Sequence, residues 1–260
     1  MDFHVHCFPD QLAATAVPAL AQRAGIPARL NGTVDDIKKS MKKANISKSV
    51  VLSIATKPTQ TEKINNWAAE IQDDRIIAFG SIHPDYKEWE DELRRIKELG
   101  LKGIKLHPDY QEFFVDEERM FPIYELAFRL GLIILFHAGV DIGLPAPFHC
   151  TPDRLLKVVR AFPQGKIIAA HMGGYQYWNE VENLLVGENL YFDTSYSFGW
   201  LDEVQGKRII KNHDYRKILF ATDSPWGDQA EEVTKIKGLS LGNKVEDAIL
   251  SGNAEKLLAT

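Results

Sequence analysis

Short runs rich in Val, Ile, Leu and Phe alternate along the chain with longer segments of helical period. The first apolar run covers residues 1–6. After a long connection, Val34, Ile37, Met41 and Ala44 recur at three- to four-residue spacing, which predicts a helix over 34–44. Thr33 is placed to cap that helix, with Asp36 standing where a capping box usually carries Glu. Further strands are expected at 49–54, 76–82, 103–107, 132–137, 166–171, 190–194 and 218–222, which with the first makes eight. Helical segments separate them, among others at 89–99, 121–130, 152–161 and 177–185. Gly100 and Gly131 follow two of these, as helix C-termini prefer.

Strict alternation of strand and helix implies parallel strands, and nearly continuous apolar strands imply burial on both faces. Eight such units favour an α/β fold of the closed (β/α)8 type. An open doubly wound sheet is the alternative, but its glycine-rich dinucleotide fingerprint is missing. No linker, low-complexity stretch or repeat divides the chain, so a single domain over 1–260 is expected. The connections at about 7–32 and 138–150 are the longest and are read as loops that cover the mouth of the barrel.

Composition narrows the partners. With 45% hydrophobic and 26% charged residues, the 260-residue chain can bury a large core. A net charge of −5 gives no global positive field of the kind that draws proteins to nucleic acid or anionic membranes. The longest apolar run, 130–136, is far too short to span a bilayer. Two cysteines and no basic-then-apolar leader lead to the expectation of a cytoplasmic protein.

Eight histidines are the unusual number, and their placement matters more than their count. His4 and His6 end the first strand, and strand alternation sends both to one side. His107 ends the fourth strand with Lys105 on the same face; His137 ends the fifth, His171 the sixth, and Asp223 follows the eighth. In a parallel barrel these ends meet at one mouth. Neutral imidazoles with a carboxylate suit a borderline divalent cation, and a catalytic site leaves one position for water. Bound water acidified to a pKa of about 7 would then be a nucleophile at neutral pH.

These segments also resemble a known family. Asp2-Phe3-His4-Val5-His6, Gly103-Ile104-Lys105-Leu106-His107-Pro108, His137, His171-Met172-Gly173-Gly174, Thr222-Asp223-Ser224-Pro225 and 252–258 occur in the order of the amidohydrolase superfamily. The closest branch is the amidohydrolase 2 group of metal-dependent TIM-barrel enzymes related to aminocarboxymuconate semialdehyde decarboxylase. The resemblance implies that His4, His6, His137 and Asp223 hold one divalent metal, with zinc expected. It also places His171 beside the metal in substrate binding or proton transfer, and it suggests a homodimer. Some superfamily members carry a carbamylated lysine between two metals in the fourth-strand region; an unmodified Lys105 would instead offer a positive charge to a carboxylate or oxyanion.

Hydrolysis of an ester, lactone or amide in a small carboxylate-bearing substrate is the leading expectation, with Asp223, His171 and Lys105 as catalytic residues. Non-oxidative decarboxylation of an unsaturated or aromatic acid is the alternative, and a metal- or ligand-binding barrel without turnover is a third. His107, His149 and Trp226 are candidate substrate contacts, although a surface role suits His149 equally. Phe8 and Tyr175 are candidate walls, and Arg23 or Arg29 candidate carboxylate binders. His83 and Cys7 read as structural, and His213, in a polar run, as solvated.

Overall fold

A computed structural model describes residues 1–259. Eight parallel strands, β1 (Asp2–Val5), β2 (Ser49–Leu52), β3 (Ile76–Phe79), β4 (Gly103–Leu106), β5 (Ile133–Phe136), β6 (Ile167–Ala169), β7 (Tyr191–Asp193) and β8 (Ile218–Leu219), pair in sequence order. They form arcs of three and five strands. Two narrow seams close the ring: Gly80 bridges Ile104 between β3 and β4, and Val5 bridges Ser224 between β1 and the end of β8.

Side chains divide by parity, as the pleat requires. Val50, Leu52, Ile133, Leu135, Ile168, Ala170, Leu219 and Ala221 pack together inside the barrel. Val51, Ile134, Phe136, Ile167, Ala169 and Phe220 pack outward, against the helices. Lys105 and His137 continue the inward rows. A register irregularity between Asp2 and Val5 lets Phe3 join the inner cluster, edge-on to Phe79.

Helices α2 (Val34–Lys43), α3 (Thr61–Glu70), α4 (Trp89–Glu98), α5 (Phe121–Arg129), α6 (Pro152–Ala161), α7 (Trp178–Leu184), α8 (Glu203–Asn212) and α9 (Gln229–Gly238) lie outside, one after each strand. Short α10 (Asn243–Asp247) and α11 (Asn253–Ala259) follow; Ala254 and Leu257 of α11 pack with Met1 against the inner cluster. Gly100 and Gly131 adopt positive φ just past α4 and α5. Thr33 accepts from the Asp36 N–H as expected, but Asp36 caps the amide of Asn31, not that of Thr33, so the reciprocal half of the box is displaced by two residues.

Two expectations fail here. The stretch at 7–32 is not a loop: it contains a further helix, α1 (Asp10–Ala24), with only Ala13 and Val17 buried. Its many alanines favour helix and conceal the usual apolar stripe, and Pro18 within it reads as a breaker. His213 is not solvated. It is buried, accepts from the Gly187 N–H, faces the Leu190 carbonyl and stacks on Phe192.

Candidate active site

The inward strand ends line a cavity of about 300 Å³ at the C-terminal mouth of the barrel. His4, His6, Lys105, His107, His137, His171, Asp223 and Trp226 all reach it, as do Phe8 and Tyr175. His4 Nε2 and His6 Nε2 are 3.1 Å apart, and Asp223 Oδ1 lies 3.4 and 3.2 Å from them. The outer nitrogens are committed: His4 Nδ1 donates to Asp193 Oδ2 at 2.8 Å and His6 Nδ1 to the Leu52 carbonyl at 2.9 Å. In the neutral imidazoles both Nε2 lone pairs therefore face each other and a carboxylate oxygen, with no proton between them. Such a group repels itself unless a cation sits at its centre. Ligands held about 2.1 Å from a tetrahedral ion stand about 3.4 Å apart, close to the three separations found, so the residues fit a divalent metal.

Burial reinforces the ligand form. It lowers the pKa of His4 and His137 well below the usual imidazole value and keeps both rings neutral. Lys105 is fully buried, with Nζ 3.3 Å from His4 Nε2, and desolvation brings its pKa down to about 8.

His137, expected as the fourth ligand, is not part of this converging group, since it offers no ligand atom within 4.8 Å of all three. His171 Nδ1 faces the Ser195 carbonyl at 2.9 Å, which leaves its Nε2 to accept from His137 Nδ1 at 3.1 Å. The remaining nitrogen, His137 Nε2, is buried with no hydrogen-bond partner. An unpaired buried acceptor is costly, and a metal bond would satisfy it. His137 also lies flat on His107, ring centroids 4.0 Å apart. His107 Nδ1 accepts from the Tyr110 N–H, so its Nε2 donates to Asp141 Oδ2 at 3.2 Å. Ligand atoms of His107, His137 and Asp141 lie within 4.8 Å of one another, but in-plane lone pairs of stacked rings run parallel and do not converge. His107 and Asp141 therefore form a hydrogen-bonded dyad in the cavity wall.

The turns that aim these groups are unusual. His171 has φ 60° and Asp223 φ 60°, left-handed values that disfavour residues with a Cβ. Backbone strain of this kind persists where the surroundings over-determine it, commonly at functional sites. At Gly139, φ 88°, a Cβ would come within 2.2 Å of the Tyr175 nitrogen, so only glycine lets the loop carrying Asp141 pass so close.

Other expected contacts lie elsewhere. His149 does not line the cavity; its Nδ1 bonds Asp109 at 2.8 Å. Neither Arg23 nor Arg29 lines it, and Arg29 pairs with Glu231 at the surface. His83 is structural as expected, accepting from the Asp85 N–H. Cys7 is buried and forms part of the wall, with its thiol pushed up to about 12 by burial. The sequence singles out neither Asp141 nor Asp193. Asp193 binds His4 through one oxygen, while its other accepts from the His171 and Ser195 amides. It ends β7 in Tyr191-Phe192-Asp193, where the sequence alone does not set it apart from other carboxylates near strand ends.

Solved structures share this architecture. A 5-carboxyvanillate decarboxylase from Sphingomonas paucimobilis matches with TM-score 0.74 and 14% identity, over 99% of this chain and 98% of that one. A dihydroxybenzoic acid decarboxylase from a Polaromonas species, with bound manganese and the inhibitor 2-nitroresorcinol, matches with TM-score 0.72 and 18% identity, over 100% and 97%. An uncharacterised TIM-barrel protein from Bordetella bronchiseptica matches with TM-score 0.77 and 20% identity, over 99% and 97%. No curated protein sequence matches the chain significantly. The expectation of ester, lactone or amide hydrolysis is corrected by these likenesses: the two with a named activity are decarboxylases, which favours the alternative reading. The family model described as Amidohydrolase matches residues 1–260, and the chain belongs to that family.

Proposed function

We propose that the protein is a divalent-metal-dependent, non-oxidative decarboxylase of an aromatic or unsaturated carboxylic acid. The metal-dependent part of this reading is carried by the convergence of His4, His6 and Asp223 on one point, with the Lys105 ammonium beside it in an aromatic-walled cavity, and decarboxylation over hydrolysis is supported by the activities named for the structural neighbours. His4, His6, Asp223 and the unpaired Nε2 of His137 would hold the ion. When bound, the ion supplies Lewis-acid polarisation of a substrate oxygen.

The chain's own residues do the rest. Lys105 attracts the substrate carboxylate and is the only lysine or arginine in the cavity wall among the described residues. As the carbon–carbon bond breaks, its electron pair stays on the substrate carbon and CO2 leaves uncharged. Asp223 takes a proton from solvent water and delivers it to that carbon. His171, fixed by the Ser195 carbonyl, holds His137 in orientation. Trp226, Tyr175 and Phe8 limit water around the developing carbanion. A cytoplasmic location and a homodimer belong to the same proposal, resting on low cysteine content and on the family resemblance.

Protein loaded with manganese, and separately with zinc, should release CO2 from hydroxybenzoates, and chelation should abolish the release. Manganese comes first because the Polaromonas structure carries it. Hydrolysis of esters or lactones by metal-loaded protein that releases no CO2 from any aromatic acid would overturn the reading.

A further inference from the structure

The cavity has two chemically different walls. Every charged or imidazole side chain in it comes from the β1, β4, β5, β6 and β8 ends, or from Asp141 in the loop after β5. The opposite wall, built by α1, the end of β2 and α3, presents Leu20, Ala24, Ile26, Ile54, Ile64 and Trp67. Of its polar members, Gln60 Oε1 accepts from the Thr56 hydroxyl and from the Thr56 and Lys57 amides, and the buried Ser53 hydroxyl is the one left without a partner. A second carboxylate placed there would lose its hydration and meet no cation in the wall itself, since Arg23 of α1 is turned aside to Tyr110 and Gly143.

The apolar wall also continues outward. Leu12, half exposed, stands at the rim, and an adjoining surface hollow shares Phe8, Pro9 and Trp67 with the cavity. A substituent longer than the cavity therefore meets more apolar surface.

We infer that the substrate carries one carboxylate at the histidine end and a bulky apolar substituent, alkyl or aryl, that lies between α1 and α3. This rests on the decarboxylase reading and deepens it. Leu20, half-buried on the outer helix, becomes a specificity-determining residue.

The test compares salicylates bearing linear alkyl chains of increasing length with unsubstituted salicylate and with phthalate, on manganese-loaded wild-type protein. The kcat/KM for CO2 release should rise about fourfold for each of the first few methylenes buried. In Leu20→Arg, the ratio of kcat/KM for the longest chain to that for salicylate should fall about tenfold or more. Calorimetric binding of the matching alkylphenols, the decarboxylation products, separates the two layers of the argument. Chain-length-dependent binding without CO2 release from any acid keeps the apolar wall and overturns the decarboxylase. CO2 release that is indifferent to chain length, or that favours phthalate, keeps the decarboxylase and overturns the apolar substituent.

Discussion

Asp193 shows how much a single unremarked side chain can govern. One of its oxygens fixes the tautomer and orientation of His4; the other holds the amides of His171 and Ser195. Carboxylates behind a metal-binding imidazole raise its basicity, and their loss typically weakens metal affinity about 10- to 100-fold. Asp193→Ala should show that loss in a manganese titration, while Asp193→Asn, which keeps an acceptor for His4, should lose less. Equal affinity in all three proteins would remove Asp193 from the argument. The ligand candidates themselves were legible in the sequence because strand ends and side-chain parity need only local pattern. Asp193 was not, because its partner His4 is 189 residues away and a lone carboxylate at a strand end has no local signature. The same reason explains His149, whose spacing could not reveal that Asp109 would take its ring away from the cavity.

Among the elements, the strands were legible and the accessory pieces were not. Apolar runs bounded by helical segments marked all eight strands, although the structure shortens every one of them; β8 pairs only over Ile218–Leu219. Helix α1 escaped because a helix that caps a mouth need not show a narrow apolar stripe. His213, which ends α8, escaped because its sequence neighbours are charged while its ring lies under the connection between α7 and β7. Burial lowers its pKa from 6.5, so the unfolded chain takes up a proton before the folded one does. The stability that neutral His213 contributes is thus present above the unfolded value and is lost as pH falls through it toward the folded value. In urea unfolding, the stability gap between wild type and His213→Gln should narrow from about pH 7 to about pH 5. A gap independent of pH would show that the ring is not held neutral.

For the whole molecule, composition and alternation were enough to reach the barrel, since eight units of strand and helix have few other ways to bury both strand faces. They were not enough to choose the reaction, because both chemistries ask for the same ligands and differ only in what the cavity receives. A cation bound to the folded state and not to the unfolded one stabilises by mass action. Manganese at about a hundred times its Kd should raise the Tm by about 5 to 10 °C, and His6→Ala should abolish most of that rise. An unchanged Tm in calorimetry would mean that the triad does not hold the ion.

The narrow seam between the first and last strands gives that stabilisation a location. Its links are the Val5–Ser224 bridge and the amide bonds from Phe3 to Phe220, from Asp223 to His4 and from His6 to Ser224. His4 and His6 stand on one side of it and Asp223 on the other. An ion held by all three would therefore be a clasp joining the two ends of the ring, and the proposed cofactor would also fasten the barrel where its first and last strands meet.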